Sequence, residues 1–152
     1  MPLLPKAAVI HPCRPADLER LMVLWLPSTI AAHPFVKESY WRESETLVRE
    51  NYLPRAHSWA YWHAGEIVGF ISVLDQRFIG ALFVERAFHG HGVAQALMAH
   101  VQQRYPQLSL EVYQQNLRAC AFYHKQGFQV TQRLFNEETQ AYTLIMNWAS
   151  TV

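Results

Sequence analysis

Phe78-Ile79-Gly80-Ala81-Leu82-Phe83-Val84, then Glu85-Arg86-Ala87-Phe88, then His89-Gly90-His91-Gly92-Val93-Ala94, is the run that decides how this chain folds. The first seven residues have strand character. Two glycines then interrupt the chain. A helix follows to Tyr105, with Val93, Leu97 and Val101 on one stripe and Pro106 beyond its end. Leu108–Tyr113 is a short strand. Strand, loop, helix and strand in that order predict a parallel pair joined by a right-handed crossover.

Upstream, Ala7–Cys13 reads as a first strand. Pro15-Ala16-Asp17 opens a helix through Leu26, with Leu18, Leu21, Met22 and Trp25 at 3/4 spacing, and Pro27 is expected to end it. Ser28–Pro34 reads as a connection. Glu38–Tyr52 is a second helix, stopped by Pro54. Ser58–His63 and Ile67–Leu74 flank the turn His63-Ala64-Gly65-Glu66 and predict a hairpin. Asp75-Gln76-Arg77 turns the chain into Phe78.

Downstream, Asn116–Gln126 is a helix closed by Gly127, a residue suited to a left-handed cap. Phe128–Leu134 and Ala141–Trp148 form a closing hairpin around Asn136-Glu137-Glu138. The order is β-α-α-β-β-β-α-β-α-β-β. The expected class is α/β (α+β): one domain over residues 1–152, with a mixed, mostly antiparallel sheet and helices on both faces.

Composition agrees with a packed domain. Of 152 residues, 51% are apolar and 16% charged, which is ample for a core. The net charge of +1 gives no electrostatic footprint for nucleic acid, so none is expected as a partner. No stretch approaches the roughly 20 apolar residues of a membrane span, and the N-terminus is a poor signal peptide. Cys13 and Cys120 read as two reduced thiols of a cytoplasmic protein.

Two segments carry candidate chemistry. In the first, strand, glycine loop and helix start together make an anion cradle suited to a pyrophosphate, because a helix start leaves amides unpaired. It is not a Walker A loop, since no Gly-Lys-Ser/Thr follows. It is not a dinucleotide fingerprint, since Gln95 stands where the third glycine should be. A plain glycine turn before a core helix would look the same.

The second segment is Asn116-Leu117-Arg118-Ala119-Cys120-Ala121-Phe122-Tyr123-His124-Lys125-Gln126-Gly127-Phe128. Asn116 suits a helix N-cap. Tyr123 follows by seven positions, about two turns of 3.6 residues, so both polar groups project on similar bearings with small Ala119 between. A capped helix with a buried tyrosine fits these residues equally.

Together, in this order and separation, the two segments resemble the GNAT acetyltransferase superfamily. His89–Ala94 resembles its Arg/Gln-x-x-Gly-x-Gly/Ala loop; Gly92 and Ala94 match, and His89 departs from the usual Arg or Gln. Asn116–Phe128 resembles the family's Asn-x-x-Ala-x-x-Phe-Tyr-x-x-x-Gly-Phe segment at every specified position.

The resemblance implies a splayed central parallel pair whose gap admits acetyl-CoA as co-substrate. Backbone of Leu82, Phe83 and Val84 would pair with the cofactor arm, and amides of His89, Gly90, His91, Gly92, Val93 and Ala94 would hold its pyrophosphate. Asn116 would hydrogen-bond the arm, with Ala119 leaving room. A backbone N–H near Leu82–Val84 would polarise the carbonyl. Tyr123 would be the general acid for direct acetyl transfer to an amine, with no covalent enzyme intermediate. Glu111 is a candidate base, with His33 and Tyr113 as alternatives.

His33, Phe35, Phe78 and Tyr113, with Tyr40, are candidates to wall the acceptor site. An apolar wall suits a lysine side chain, whose stem is apolar and head polar. The acceptor is expected to be a protein lysine, with a small amine or amino acid as the alternative. No metal is expected, although His89-x-His91 offers two ligands. A sensor that binds acyl-CoA without turnover, and a monomer or homodimer, both remain open.

Overall fold

The computed structural model describes residues 9–151. Seven strands form a single sheet: β1 (Ile10–Pro12), β2 (His57–His63), β3 (Glu66–Leu74), β4 (Phe78–Val84), β5 (Gln107–Tyr113), β6 (Gln129–Asn136) and β7 (Ala141–Ala149). Their spatial order is β1-β2-β3-β4-β5-β7-β6. Every neighbour is antiparallel except β4 and β5, which are parallel. The expected element order and mixed sheet are therefore present. Of the first expected strand, Ala7 and Ala8 lie outside the described residues.

Helices cover both faces. On one, α3 (Val93–Arg104) and α4 (Leu117–Lys125) pack with Phe128 over Ile71, Val73, Leu108, Leu110 and Val112. The stripe Val93, Leu97, Val101 is wholly buried, as its spacing requires. On the other face, α1 (Leu18–Ala32) and α2 (Glu38–Leu47) pack through Leu21, Met22, Leu24, Trp25 and Trp41 onto Ala60, Ile67, Phe70 and Ala81. Alternation along β5 divides the faces: Leu108, Leu110 and Val112 are buried, while Ser109, Glu111 and Tyr113 point the other way.

Two boundaries depart from the sequence expectation. Pro27 does not end α1, which continues to Ala32 with Pro27 inside it. Pro27 and Val23, whose carbonyl loses its helical partner, are both exposed. The freed carbonyl therefore faces solvent, where water can replace the lost partner. The second helix is not continuous to Tyr52. It passes at Val48 into a π-type turn, Val48–Tyr52, then into a 3-10 turn, Leu53–Arg55, that accommodates Pro54 at its start.

Candidate active site

β4 and β5 are paired only at their beginnings. Phe78 faces Ser109 and Ile79 faces Leu110, and no further pair follows. From Gly80 to Val84 the β5-facing edge of β4 has no strand against it. Its other edge stays paired to β3, with Leu82, Phe83 and Val84 opposite Ile71, Phe70 and Gly69. A wedge-shaped gap thus opens in mid-sheet, lined on one side by β4 backbone that β5 does not pair.

The glycine loop lies beyond the open end. A 3-10 turn, Arg86–Phe88, leads into it. Gly90 and Gly92 hold φ of 81° and 80°, a left-handed conformation that glycine adopts without Cβ strain, and nothing approaches within 4 Å of where a Cβ would stand. Gly92 is the N-cap of α3 and offers no side-chain cap. Among the described residues the amides of Gly90 and Gly92 find no carbonyl partner. Unpaired amides and the positive end of α3 converge here.

His89 is held from two sides. Its Nε2 donates to the Val84 carbonyl at 2.9 Å, which leaves Nδ1 to accept from Arg118 at 3.1 Å. With both ring nitrogens engaged, His89 has none spare for a metal, and no group of three His, Cys, Asp or Glu side chains converges among the described residues. Arg118 was not singled out in the sequence. It places a guanidinium beside the loop at the position where His89 departs from the usual Arg or Gln. The only signal for it lay in the x-positions of the Asn116–Phe128 segment.

Asn116 caps α4, its Oδ1 accepting from the Ala119 amide at 3.3 Å. Tyr123 lies further along the same helix, partly buried against Phe128 and Phe122. Burial pushes its hydroxyl up to about 12, so it stays protonated at neutral pH. Gly127 has the left-handed φ of 99° expected after α4. Cys120 and Cys13 are free thiols raised by burial, Cys13 to about 12, which suppresses the nucleophilic thiolate in both.

On the opposite face, an aromatic cluster gathers over the end of β5. His33, the C-cap of α1, lies 5.7 Å from Phe35, 5.0 Å from Trp41 and 5.1 Å from Tyr113, ring centre to ring centre. Phe35 also meets Tyr113, and Tyr40 meets Trp41. Trp41 belongs to this cluster as well as packing on the core beneath it. Phe78, expected in it, stands at the start of β4 beside Ser109 and makes no ring contact with the others.

The His33 Nδ1 donates to the Thr29 carbonyl at 2.7 Å, so Nε2 carries the lone pair of the neutral ring. Burial lowers its pKa below the ordinary 6.5 despite that bond.

An open pocket of about 390 Å³ adjoins the cluster, lined by Glu111, Glu137, Glu138, Phe135 and Thr143 among others. Thr143 donates to Glu111 at 2.5 Å. Burial raises Tyr40, and the carboxylates of Glu138 and Glu111 raise it further. Aromatic wall and acidic pocket are therefore one electrostatic neighbourhood. In the sequence Glu137 and Glu138 read only as the turn of the closing hairpin, which they are, and nothing local marks them as pocket residues.

Three kinds of comparison bear on this geometry. The model of the acetyltransferase (GNAT) domain matches residues 30–144. The chain is 42% identical over 140 residues to the peptidyl-lysine N-acetyltransferase YiaC of Escherichia coli K12, covering 92% of this chain and 96% of that one. It is 37% identical over 125 residues to the peptidyl-lysine N-acetyltransferase YjaB of the same organism, 82% and 84% of the two chains. The solution structure of apo YjaB from Escherichia coli superposes with a TM-score of 0.78 at 32% identity, over 91% of this chain and 95% of that one. The PaiA N-acetyltransferase of Thermoplasma acidophilum, solved in complex with coenzyme A, shares the fold at a TM-score of 0.76 and 16% identity, over 93% and 98% of the two chains.

Proposed function

The chain belongs to the GNAT acetyltransferase family and transfers an acetyl group from acetyl-CoA to an amine, and we propose that its acceptor is the side-chain amine of a protein lysine. The observation that carries this is the pairing of an aromatic wall with a carboxylate-lined pocket on the α1/α2 face. A lysine stem is apolar and packs on rings, while its ammonium is drawn by Glu111, Glu137 and Glu138 and by the ring faces. Similarity to two peptidyl-lysine N-acetyltransferases supports the same acceptor.

In this reading the β4–β5 gap takes the thioester arm, with Leu82, Phe83 and Val84 supplying strand hydrogen bonds. The loop amides from His89 to Ala94 take the pyrophosphate, and Arg118 adds the fixed cation that His89 lacks. Asn116 and Ala119 border the arm. Tyr123 donates to the leaving thiolate.

His33, rather than Glu111, takes the amine proton. Its neutral ring has one nitrogen fixed as donor and the other left as acceptor, whereas the Glu111 carboxylate is engaged by Thr143. Glu111 attracts the cationic acceptor instead. Two free cysteines suit a reducing cytoplasm, and one domain acting as monomer or homodimer suffices for this chemistry.

A thiol-release screen with acetyl-CoA tests the acceptor, using lysine peptides, peptides with only a free α-amine, and small amines. Lysine peptides should turn over fastest, with the label on Nζ by mass spectrometry. Preference for α-amines or small amines would replace this reading.

A further inference from the structure

β3 carries an extra residue near its start. Tyr61 of β2 faces Gly69 and Trp62 faces Ile67, so Val68 has no partner in β2 and forms a bulge. A bulge re-aims the groups beside it. The Val68 carbonyl extends the β3–β4 ladder by one bond, accepting from the Glu85 amide at 2.7 Å. The Ile67 carbonyl is taken by a helix instead: it accepts from both Nε and Nη2 of Arg20, at 3.0 and 2.7 Å. Arg20 belongs to the first turn of α1, the helix whose C-cap is His33.

Glu85 directly follows β4 and is the N-cap of the 3-10 turn Arg86–Phe88 that leads into the glycine loop. Its backbone and its side chain are both engaged. The amide is bound by Val68, the carbonyl accepts from the Phe88 amide at 2.8 Å, and the carboxylate accepts from Arg20 Nη2 at 3.2 Å. One residue earlier, the Val84 carbonyl accepts from His89, the first residue of the loop. The corner between strand and loop is thereby tied down from β3, from α1 and from the loop itself. The ion pair adds little to stability, because its two side chains are 35% and 42% exposed and water screens them. Its negative charge does not suit its place either, since a carboxylate at the entry to an anion site opposes the ligand. The contribution left to Glu85 is geometric.

We propose that Arg20 and Glu85 are positioning residues for acetyl-CoA: Arg20, anchored on Ile67, holds the Glu85 carboxylate and so fixes where the loop amides from His89 to Ala94 stand. This rests on the reading of that loop as the pyrophosphate site. An amide bonds a phosphate oxygen only within a narrow range of distance and angle, and the bond weakens steeply outside it. The pyrophosphate is remote from the reacting carbonyl, so its contacts are the same in the ground state and the transition state. The brace therefore sets KM for acetyl-CoA and leaves kcat alone. Removing Glu85 weakens binding even though it removes a repelling charge.

Glu85→Ala tests it by sign. Charge alone predicts tighter acetyl-CoA binding, and the brace predicts weaker. The calorimetric Kd and the KM for acetyl-CoA should both rise about tenfold, the scale of one good hydrogen bond. The kcat should stay within about twofold of the parent, and Tm should barely move. Arg20→Lys keeps the charge but loses the fork that reaches both Ile67 and Glu85, and it should raise KM to a similar extent. Because Arg20 works through Glu85, the double variant should be no worse than the worse single one. Glu85→Gln keeps an acceptor for Nη2 and should recover most of the affinity. A Kd that is unchanged or lower in Glu85→Ala overturns the proposal, as do additive effects of the two changes or a loss confined to kcat. S-acetylpantetheine, which lacks the pyrophosphate, separates the brace from the reading of the loop. The parent should prefer acetyl-CoA in kcat/KM, and both single variants should lose part of that preference. Equal use of the two thioesters by the parent overturns the pyrophosphate reading, whereas a preference kept in full by the variants overturns the brace alone.

Discussion

On the α3/α4 face, Val93, Leu97, Met98 and Val101 are each 2% exposed or less and meet Leu108, Leu110 and Phe128 in a continuous apolar layer. On the α1/α2 face, the helix carries an internal proline, its successor ends in π and 3-10 turns, and Thr29 Oγ1, Trp41 Nε1 and the Tyr52 hydroxyl are buried without partners among the described residues. Among the described residues, Nδ1 of His63 is the comparable atom beside Phe88 on the first face, and Thr139 Oγ1 lies in the turn between β6 and β7. Buried unpaired polar atoms oppose folding and persist where something else needs them. The first face holds the sheet together and carries the glycine loop on its edge. The second face leaves polar atoms unpaired around the proposed acceptor pocket.

The largest effect that would sharpen this contrast comes from Tyr123, the proposed proton donor on the well-packed face. Tyr123→Phe keeps the ring among Phe122 and Phe128. It should bind acetyl-CoA nearly normally and lose about 10²–10⁴ in kcat, the usual range for a lost proton donor. A folded Tyr123→Phe enzyme with full activity would show that the hydroxyl is only structural.

His33→Gln probes the acceptor face by pH. Burial favours the neutral ring, so its folded pKa lies below 6.5. The base is active when unprotonated, so kcat/KM of the parent should rise with pH and level off below 6.5. The variant should lose about 10² in rate, at the low end for a missing base, and lose that acid limb. Ionisation of the lysine substrate, near pH 10.4 when unperturbed, should shape the alkaline side of both profiles alike. The same depressed pKa makes the ring's contribution to stability complete above 6.5 and lost as pH falls through the folded value. An acid limb that survives in His33→Gln would point to Glu111 instead.

Leu97→Ala should cost about 2–5 kcal/mol by denaturant unfolding, since Leu97 is fully buried within a close-packed layer. A loss under about 1 kcal/mol would mean that this face is looser than its packing implies.

The smallest effect has the opposite sign. Thr29→Val removes an unpartnered hydroxyl at a site 2% exposed while keeping the shape. It should be neutral or stabilising by about 1 kcal/mol. Clear destabilisation would erase the proposed difference between the faces.

Much of this was determined by local order along the chain. Strand, glycine loop, helix and strand could close only as a right-handed parallel unit. The 3/4 stripe of α3 and the alternation of β5 specify which side chains are buried, because helical and strand periods are geometric. Asn116 announced its cap, and Gly127 its left-handed turn. Pro27 misled because a proline's effect depends on which way its helix faces, and only packing puts it on the solvent side.

The proposed acceptor site was decided by the tertiary structure. His33, Trp41 and Tyr113 come from a helix end, a second helix and a strand, and Glu137 and Glu138 come from a distant turn; no spacing along the chain brings them together. Arg118 meets His89 across 29 positions for the same reason. The pairing of Tyr52 with Gly80 is the sharpest instance. A glycine in a strand and a tyrosine at a helix end are each unremarkable in sequence, and only the fold lays one hydroxyl in the space the other leaves empty.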